Sequence, residues 1–168
     1  MTTAQALGRL LAAEGWRLVF GAGDIGLMGE VARAARMSGA PAMGVIPQHL
    51  LAVERGRQDR TGLVITETMH ERKKVMFANS DAIVVLPGGA GTLDEFFEVL
   101  TWKQLGLHDR PIYLVDAGGY WKPLVALVEH VVAQGFAAES LLGLYRVVPD
   151  VDTLGMALRS DFGARPAA

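Results

Sequence analysis

Ala82-Ile83-Val84-Val85-Leu86-Pro87-Gly88-Gly89-Ala90-Gly91-Thr92-Leu93-Asp94-Glu95 is the stretch on which the fold turns. Its first five residues are apolar and form a short strand buried on both faces. Pro87 turns the chain, and Gly88, Gly89 and Gly91 permit close backbone approaches that a side chain would obstruct. The spacing predicts a helix from Leu93 to Leu105, so the turn joins the carboxyl end of a buried strand to a helix N-terminus. Unpaired amides and the helix dipole favour a phosphate at such a place. No Gly-Lys-Ser/Thr follows, which argues against a Walker-type kinase or ATPase. Thr92 and Glu95 also have the spacing of a capping box, in which the two side chains satisfy helix-end amides reciprocally. Local sequence leaves Glu95 open between capping and catalysis.

Working outward, strands and helices alternate. Upstream lie helices at 3–14, 26–37 and 69–79, and short apolar strands at 17–20, 42–46 and 63–65. Downstream, strands are predicted at 111–115 and 145–148, with helices at 121–133 and 152–158. A polar segment, Gln48 to Thr61, carries Glu54, Arg55, Arg57 and Arg60 and reads as a surface loop with some helix. Short continuous apolar strands separated by helices predict an α/β fold with a doubly wound parallel sheet, Rossmann-like in three layers. Ligands of such sheets bind outside the carboxyl ends of the strands. The expected organisation is one nucleotide-binding domain over residues 1–162, followed by a frayed tail at 163–168.

With 168 residues the chain is long enough for one sizeable core, and a net charge of −2 gives no support to a nucleic-acid surface. The absence of cysteine removes disulfides, thiol nucleophiles and zinc-thiolate sites. Met-Thr-Thr-Ala-Gln lacks the pattern of a signal peptide, and no apolar run is long enough to span a bilayer. A cytoplasmic protein acting on a small molecule, with no nucleic-acid or membrane partner, is the expectation.

Arg72 bears on the choice for Glu95. Thr68 and Glu71 form a second possible capping box, which starts a helix at Met69 and sets Met69, Arg72 and Met76 on one face. A half-buried arginine keeps its charge and calls for a carboxylate or a phosphate. Both helices begin just after the carboxyl end of a strand, so Arg72 and Glu95 are expected over the same sheet edge, where both can serve one ligand. Lys74 reads as a solvated position; Lys73 is open between solvent and ligand. His70 has no second histidine at metal spacing, and no metal site is expected.

Gly21-Ala22-Gly23-Asp24-Ile25-Gly26 formally matches the G-x-G-x-x-G dinucleotide fingerprint. The acidic residue that would hold a ribose is missing, because the strand ending at Ile46 gives way to Pro47 and Gln48. Simple nucleotide or phosphate-edge binding is favoured over NAD here, and a tight strand-to-helix turn with close packing is an alternative explanation of Ala22 and Ile25.

Four blocks, Gly26-Leu27-Met28-Gly29, Gly44-Val45-Ile46-Pro47, Met69-His70-Glu71-Arg72-Lys73 and the turn from Pro87 to Glu95, together with Thr101-Trp102-Lys103-Gln104-Leu105-Gly106, resemble the LOG (LONELY GUY) family over nearly the whole chain. The resemblance implies a cytokinin riboside 5′-monophosphate phosphoribohydrolase, with AMP as a further substrate, no cofactor, and a homodimer with the site near its interface. Carried over by motif, Arg72 and Glu95 are the implied catalytic pair. Gly23, Glu54, Met69, Lys73, Gly88, Gly89, Ala90, Gly91, Thr92, Leu93 and Asp94 are the implied substrate contacts. The older family name, lysine decarboxylase, finds no recognisable pyridoxal phosphate site here. Two departures stand out. The family's first strand, which ends in a Cys-Gly-Ser-Ser-like turn and lies mid-sheet, has no counterpart here, and Ala22 replaces a glycine common in the first loop. The missing strand motivates an alternative, a non-catalytic nucleotide-binding module.

Overall fold

The computed structural model describes residues 2–51 and 62–163. The chain divides into two compact units, with the boundary between Ser80 and Asp81.

The first unit contains α1 (Thr3–Ala13), β1 (Leu18–Phe20), α2 (Gly26–Met37), β2 (Ala42–Pro47), the single turn α3 (Gln48–Leu51), β3 (Leu63–Thr66) and α4 (Met69–Ala78). Its sheet is parallel in the order β1-β2-β3, with Phe20 opposite Gly44 and Val45 opposite Val64. Thr2 starts α1 with a capping box completed by Gln5, and Thr68 starts α4 with one completed by Glu71, as the sequence predicted for the latter. Helices α1 and α2 pack closely. An ideal Cβ at Gly8 would lie 2.6 Å from the Ala34 Cβ, so bare backbone on one helix admits the small residues of the other. Leu7, Phe20, Val31, Ala32, Ala35, Val45 and Ile46 are buried in this unit.

The second unit contains β4 (Ile83–Val85), α5 (Ala90–Gln104), β5 (Ile112–Val115), α6 (Lys122–Ala133), β6 (Arg146–Val148) and α7 (Val151–Phe162). Its sheet is also parallel, in the order β4-β5-β6, with Val84 opposite Tyr113 and Leu114 opposite Val147. β5 is buried along its whole length, the expected state of a central parallel strand. Val85, Phe96, Leu100, Ile112, Leu114, Trp121, Leu124 and Val128 form one apolar cluster.

Parallel strands joined through helices are the α/β class the sequence predicted. Each unit has its own three-stranded sheet, and the first strand of each, β1 or β4, is an edge strand of that sheet. Two helix boundaries differ from expectation by more than one residue. α5 begins at Ala90, not Leu93, because the glycine turn itself winds into the first helical turn, and α7 continues to Phe162. Two 3₁₀ turns, Ala117–Gly119 and Glu139–Gly143, carry no period that the sequence could announce.

Candidate functional site

In the first unit the candidate site centres on Arg72. It sits in the first turn of α4, whose start is fixed by the Thr68 hydroxyl accepting from the Glu71 amide at 3.1 Å while the Glu71 carboxylate accepts from the amides of Glu67 and Thr68. The arginine is half-buried. Its Nε donates to the Val45 carbonyl at 3.2 Å and its Nη2 to the Gly21 carbonyl at 3.3 Å. Two carbonyls, one just beyond the carboxyl end of β1 and one near that of β2, therefore hold the guanidinium at the edge where ligands of parallel sheets bind. Orienting a planar cation through two fixed acceptors lowers the entropy lost when it meets an anion.

The loop after β1 is built around the same arginine. Gly21, Ala22 and Gly23 are buried, and Ala22 takes a left-handed φ of 61°, a conformation that favours glycine. The first residue of the formal dinucleotide fingerprint is occupied by protein, since an ideal Cβ at Gly21 would lie 1.7 Å from the Arg72 Nη2.

In the second unit, the turn after β4 has Gly89 as the N-cap of α5, and no side chain caps this end. The capping-box alternative for Thr92 and Glu95 is thereby removed. Both lie inside the helix, Thr92 in its first turn, and the end of α5 lacks the side-chain acceptor that α1 and α4 possess. Gly89, Ala90 and Gly91 are exposed, whereas Gly88, Thr92, Leu93 and Glu95 are half-buried and Asp94 is exposed. The Thr92 side chain folds back under the turn, where an ideal Cβ at Gly88 would meet its hydroxyl at 2.1 Å. The Gly88 carbonyl accepts from the Tyr120 hydroxyl at 2.8 Å. A helix of 15 residues with a glycine N-cap, beginning just after the carboxyl end of the partly buried strand β4, has the features of an anion site.

Of the remaining sequence candidates, Lys73 is half-buried, Lys74 is exposed as expected of a solvated position, Met69 is exposed, and Glu54 lies outside the described residues. Among the described residues no group of three or more metal-ligating side chains occurs, and no helix is long and apolar enough to cross a membrane. Val45 and Tyr120 escaped the sequence reading. Val45 acts through its carbonyl, which any residue possesses, and Tyr120 lies far from the turn in sequence.

A cavity of about 480 Å³ lies at the opposite, amino end of the second sheet, lined in part by Asp81, Lys103, Arg110, Arg146 and Asp161. Arg146, Asp161 and Lys103 are partnered within the protein. The Tyr113 hydroxyl donates to Asp161, and Arg146 donates to Tyr113 at 2.9 Å and to Asp161 at 3.0 Å. The Tyr113 hydrogen bond holds the Asp161 carboxyl below its ordinary range, with Arg146 adding to the effect. Burial, helped by Asp161, pushes Tyr113 up to about 12. Desolvation, then Arg146, draws Lys103 down, and its Nζ donates to the Arg110 carbonyl at 2.8 Å. This network ties β5, β6 and α7 together at the end of the sheet away from the glycine turn.

Comparison with known proteins bears on this arrangement. The family described as possible lysine decarboxylase matches residues 28–158. A cytokinin riboside 5′-monophosphate phosphoribohydrolase of Rhodococcoides fascians is 40% identical over 94% of this chain and 80% of its own length. The enzyme of the same name from Mycobacterium tuberculosis is 42% identical over 88% of this chain and 79% of its own. A rice protein of that name, from Oryza sativa subsp. japonica, is 41% identical over 79% of this chain, which spans 55% of the rice protein. Among solved structures, the molybdenum cofactor carrier protein of Chlamydomonas reinhardtii superposes with a TM-score of 0.68 at 22% identity, over 94% of this chain and 84% of that one. The molybdenum cofactor binding protein of Rippkaea orientalis gives 0.64 at 19% identity, over 95% and 86%. At these identities the structural likeness speaks for the fold alone.

Proposed function

The chain belongs to the LOG family, and from that premise we propose that it hydrolyses the N-glycosidic bond of a nucleoside 5′-monophosphate, cytokinin riboside monophosphates or AMP, to a free adenine-type base and ribose 5-phosphate. Water forms a bond to C1′ of the ribose as the bond from C1′ to the base nitrogen breaks; the water loses a proton and the departing base takes one up. Positive charge builds on the ribose as that bond lengthens, and a carboxylate beside it stabilises the charge and orients or deprotonates the water. Glu95 has that role in this reading. The glycine-turn amides receive the 5′-phosphate, and Arg72 supplies a fixed positive charge.

The observation that carries the proposal is the start of α5 at Ala90 with no side-chain cap. It offers first-turn amides to a phosphate and sets Glu95 in the second turn of the helix, away from the N-cap and N3 positions of a capping box. Substrate contacts by Gly23, Glu54, Met69, Lys73, Gly88, Gly89, Ala90, Gly91, Thr92, Leu93 and Asp94 belong to the same proposal. So does a homodimer, supported by the exposure of Leu105 (67%) and Leu107 (68%) beyond the apolar helix α5. A cytoplasmic location is proposed with it.

The test is to incubate the protein with AMP and with N6-isopentenyl-AMP and to assay ribose 5-phosphate. Release from at least one substrate is expected, with Glu95→Gln lowering kcat by about 10²-fold or more. A folded protein that releases nothing from either overturns the assignment. AMP binding without turnover, unchanged by Glu95→Gln, would instead favour a binding module.

A further inference from the structure

We infer that Gly21 is a positioning residue for Arg72, so that the first glycine loop serves the proposed reaction by seating the arginine and not by holding a dinucleotide. The inference rests on the proposed catalytic role of Arg72, and its steric half stands independently of that role.

Three observations within the first unit carry it. First, the three atoms nearest to an added Cβ at Gly21 all belong to one side chain: Nη2 of Arg72 at 1.7 Å, Cζ at 2.8 Å and Nε at 3.3 Å. The crowding at Gly8 is different, for there the neighbours include the backbone of Ala35 and Val31, which cannot swing aside. Second, Gly21 is not among the residues with positive φ, so its backbone conformation is open to alanine and gives no separate reason for glycine. Third, Gly21 also supplies the acceptor, its carbonyl taking the Nη2 hydrogen bond at 3.3 Å. The same residue thus provides both the space for the guanidinium and a backbone anchor for it, alongside the Val45 carbonyl at 3.2 Å.

The chemistry follows from the geometry. A methyl group at position 21 occupies the volume of the guanidinium, and a long side chain yields more readily than packed backbone. Gly21→Ala therefore folds and expels the guanidinium from its two carbonyls. The charge is kept but its orientation is lost, and orientation is what a planar donor contributes to an anionic substrate.

A double-mutant cycle tests this, comparing wild type, Gly21→Ala, Arg72→Ala and the double variant by thermal unfolding and by ribose 5-phosphate release from AMP. Arg72→Lys is carried alongside. With Arg72 present, Gly21→Ala is expected to lower the unfolding midpoint by a few degrees and turnover by about tenfold or more, dividing the loss between kcat and KM as Arg72→Lys does. In the Arg72→Ala background the same change is expected to move neither quantity beyond about twofold or one degree. Equal losses in both backgrounds, or a loss confined to the fraction of folded enzyme, would overturn the inference. If wild type releases no product, the proposed function fails by itself, and the unfolding cycle still decides whether Gly21 seats Arg72.

Discussion

At the residue scale the first loop holds both the device and its strain. Ala22 sits at a φ of 61° with no exposed surface, so its methyl group is held in a conformation that costs an L-residue about 1–2 kcal/mol. Glycine relieves that cost and loses part of the gain to the extra freedom of the unfolded chain. Ala22→Gly is expected to raise stability by about 0.5–1 kcal/mol, read as a higher midpoint in denaturant at unchanged slope; a lower midpoint would show that the methyl packs too well to give up. At this scale the sequence was partly legible. A charged residue that cannot be neutralised, placed on a helix with apolar neighbours, announced that Arg72 has a duty. Its anchors were hidden because they are carbonyls, common to all residues. The start of α5 was hidden because Gly88, Gly89 and Gly91 read as a loop, whereas Gly89 is the N-cap and Ala90 and Gly91 already wind into the helix, a conflict between propensity and tertiary context.

At the element scale, close approach and buried polar ties define the two units. Gly8 lets α1 lie against Ala34 and Ala35 of α2, and a methyl group there would meet the Ala35 amide nitrogen at 2.6 Å. Gly8→Ala is expected to destabilise by about 1–3 kcal/mol despite the better helix propensity of alanine, since overpacking against backbone outweighs a propensity gain of up to about 1 kcal/mol. Chemical denaturation measures this. The tie among Tyr113, Arg146 and Asp161 has a pH signature. The Tyr113 value is raised from about 10 to about 12, so its contribution is complete below the unfolded value and is lost as pH rises through that interval. Asp161, held low, contributes above about pH 4 and its share is lost as pH falls through the depressed native value. Tyr113→Phe is expected to be less stable by about 1–2 kcal/mol near neutral pH, with the difference shrinking between pH 10 and 12. A difference that stays constant over that interval would remove the titration of Tyr113 as its cause. The strands and helices themselves were legible, since apolar runs of three to six residues bounded by glycine or proline have few alternatives. The tie was not, because its three members come from separate elements that only tertiary structure assembles.

At the scale of the whole molecule, each unit has a three-stranded parallel sheet with candidate ligand groups beyond the carboxyl ends of its strands, Arg72 in the first unit and the glycine turn in the second. Ligand binding is the appropriate probe, since a ligand that binds only the native state raises its stability by an amount set by concentration over Kd. AMP at about 100 times its Kd is expected to stabilise by about 2.7 kcal/mol, whereas NAD and NADP give no shift, because the loop that matches the dinucleotide pattern is filled by Arg72. A shift with NAD alone would reverse the assignment. The hydrogen bond from Tyr120 to the Gly88 carbonyl matters here as well. A peptide unit is planar and trans, so its carbonyl and the amide of the next residue point in opposite directions. By fixing the Gly88 carbonyl, a phenol 32 residues further along the chain also fixes the direction of the Gly89 N–H. This peptide cannot flip without breaking that bond, so Tyr120 acts as a latch on the polarity of the turn.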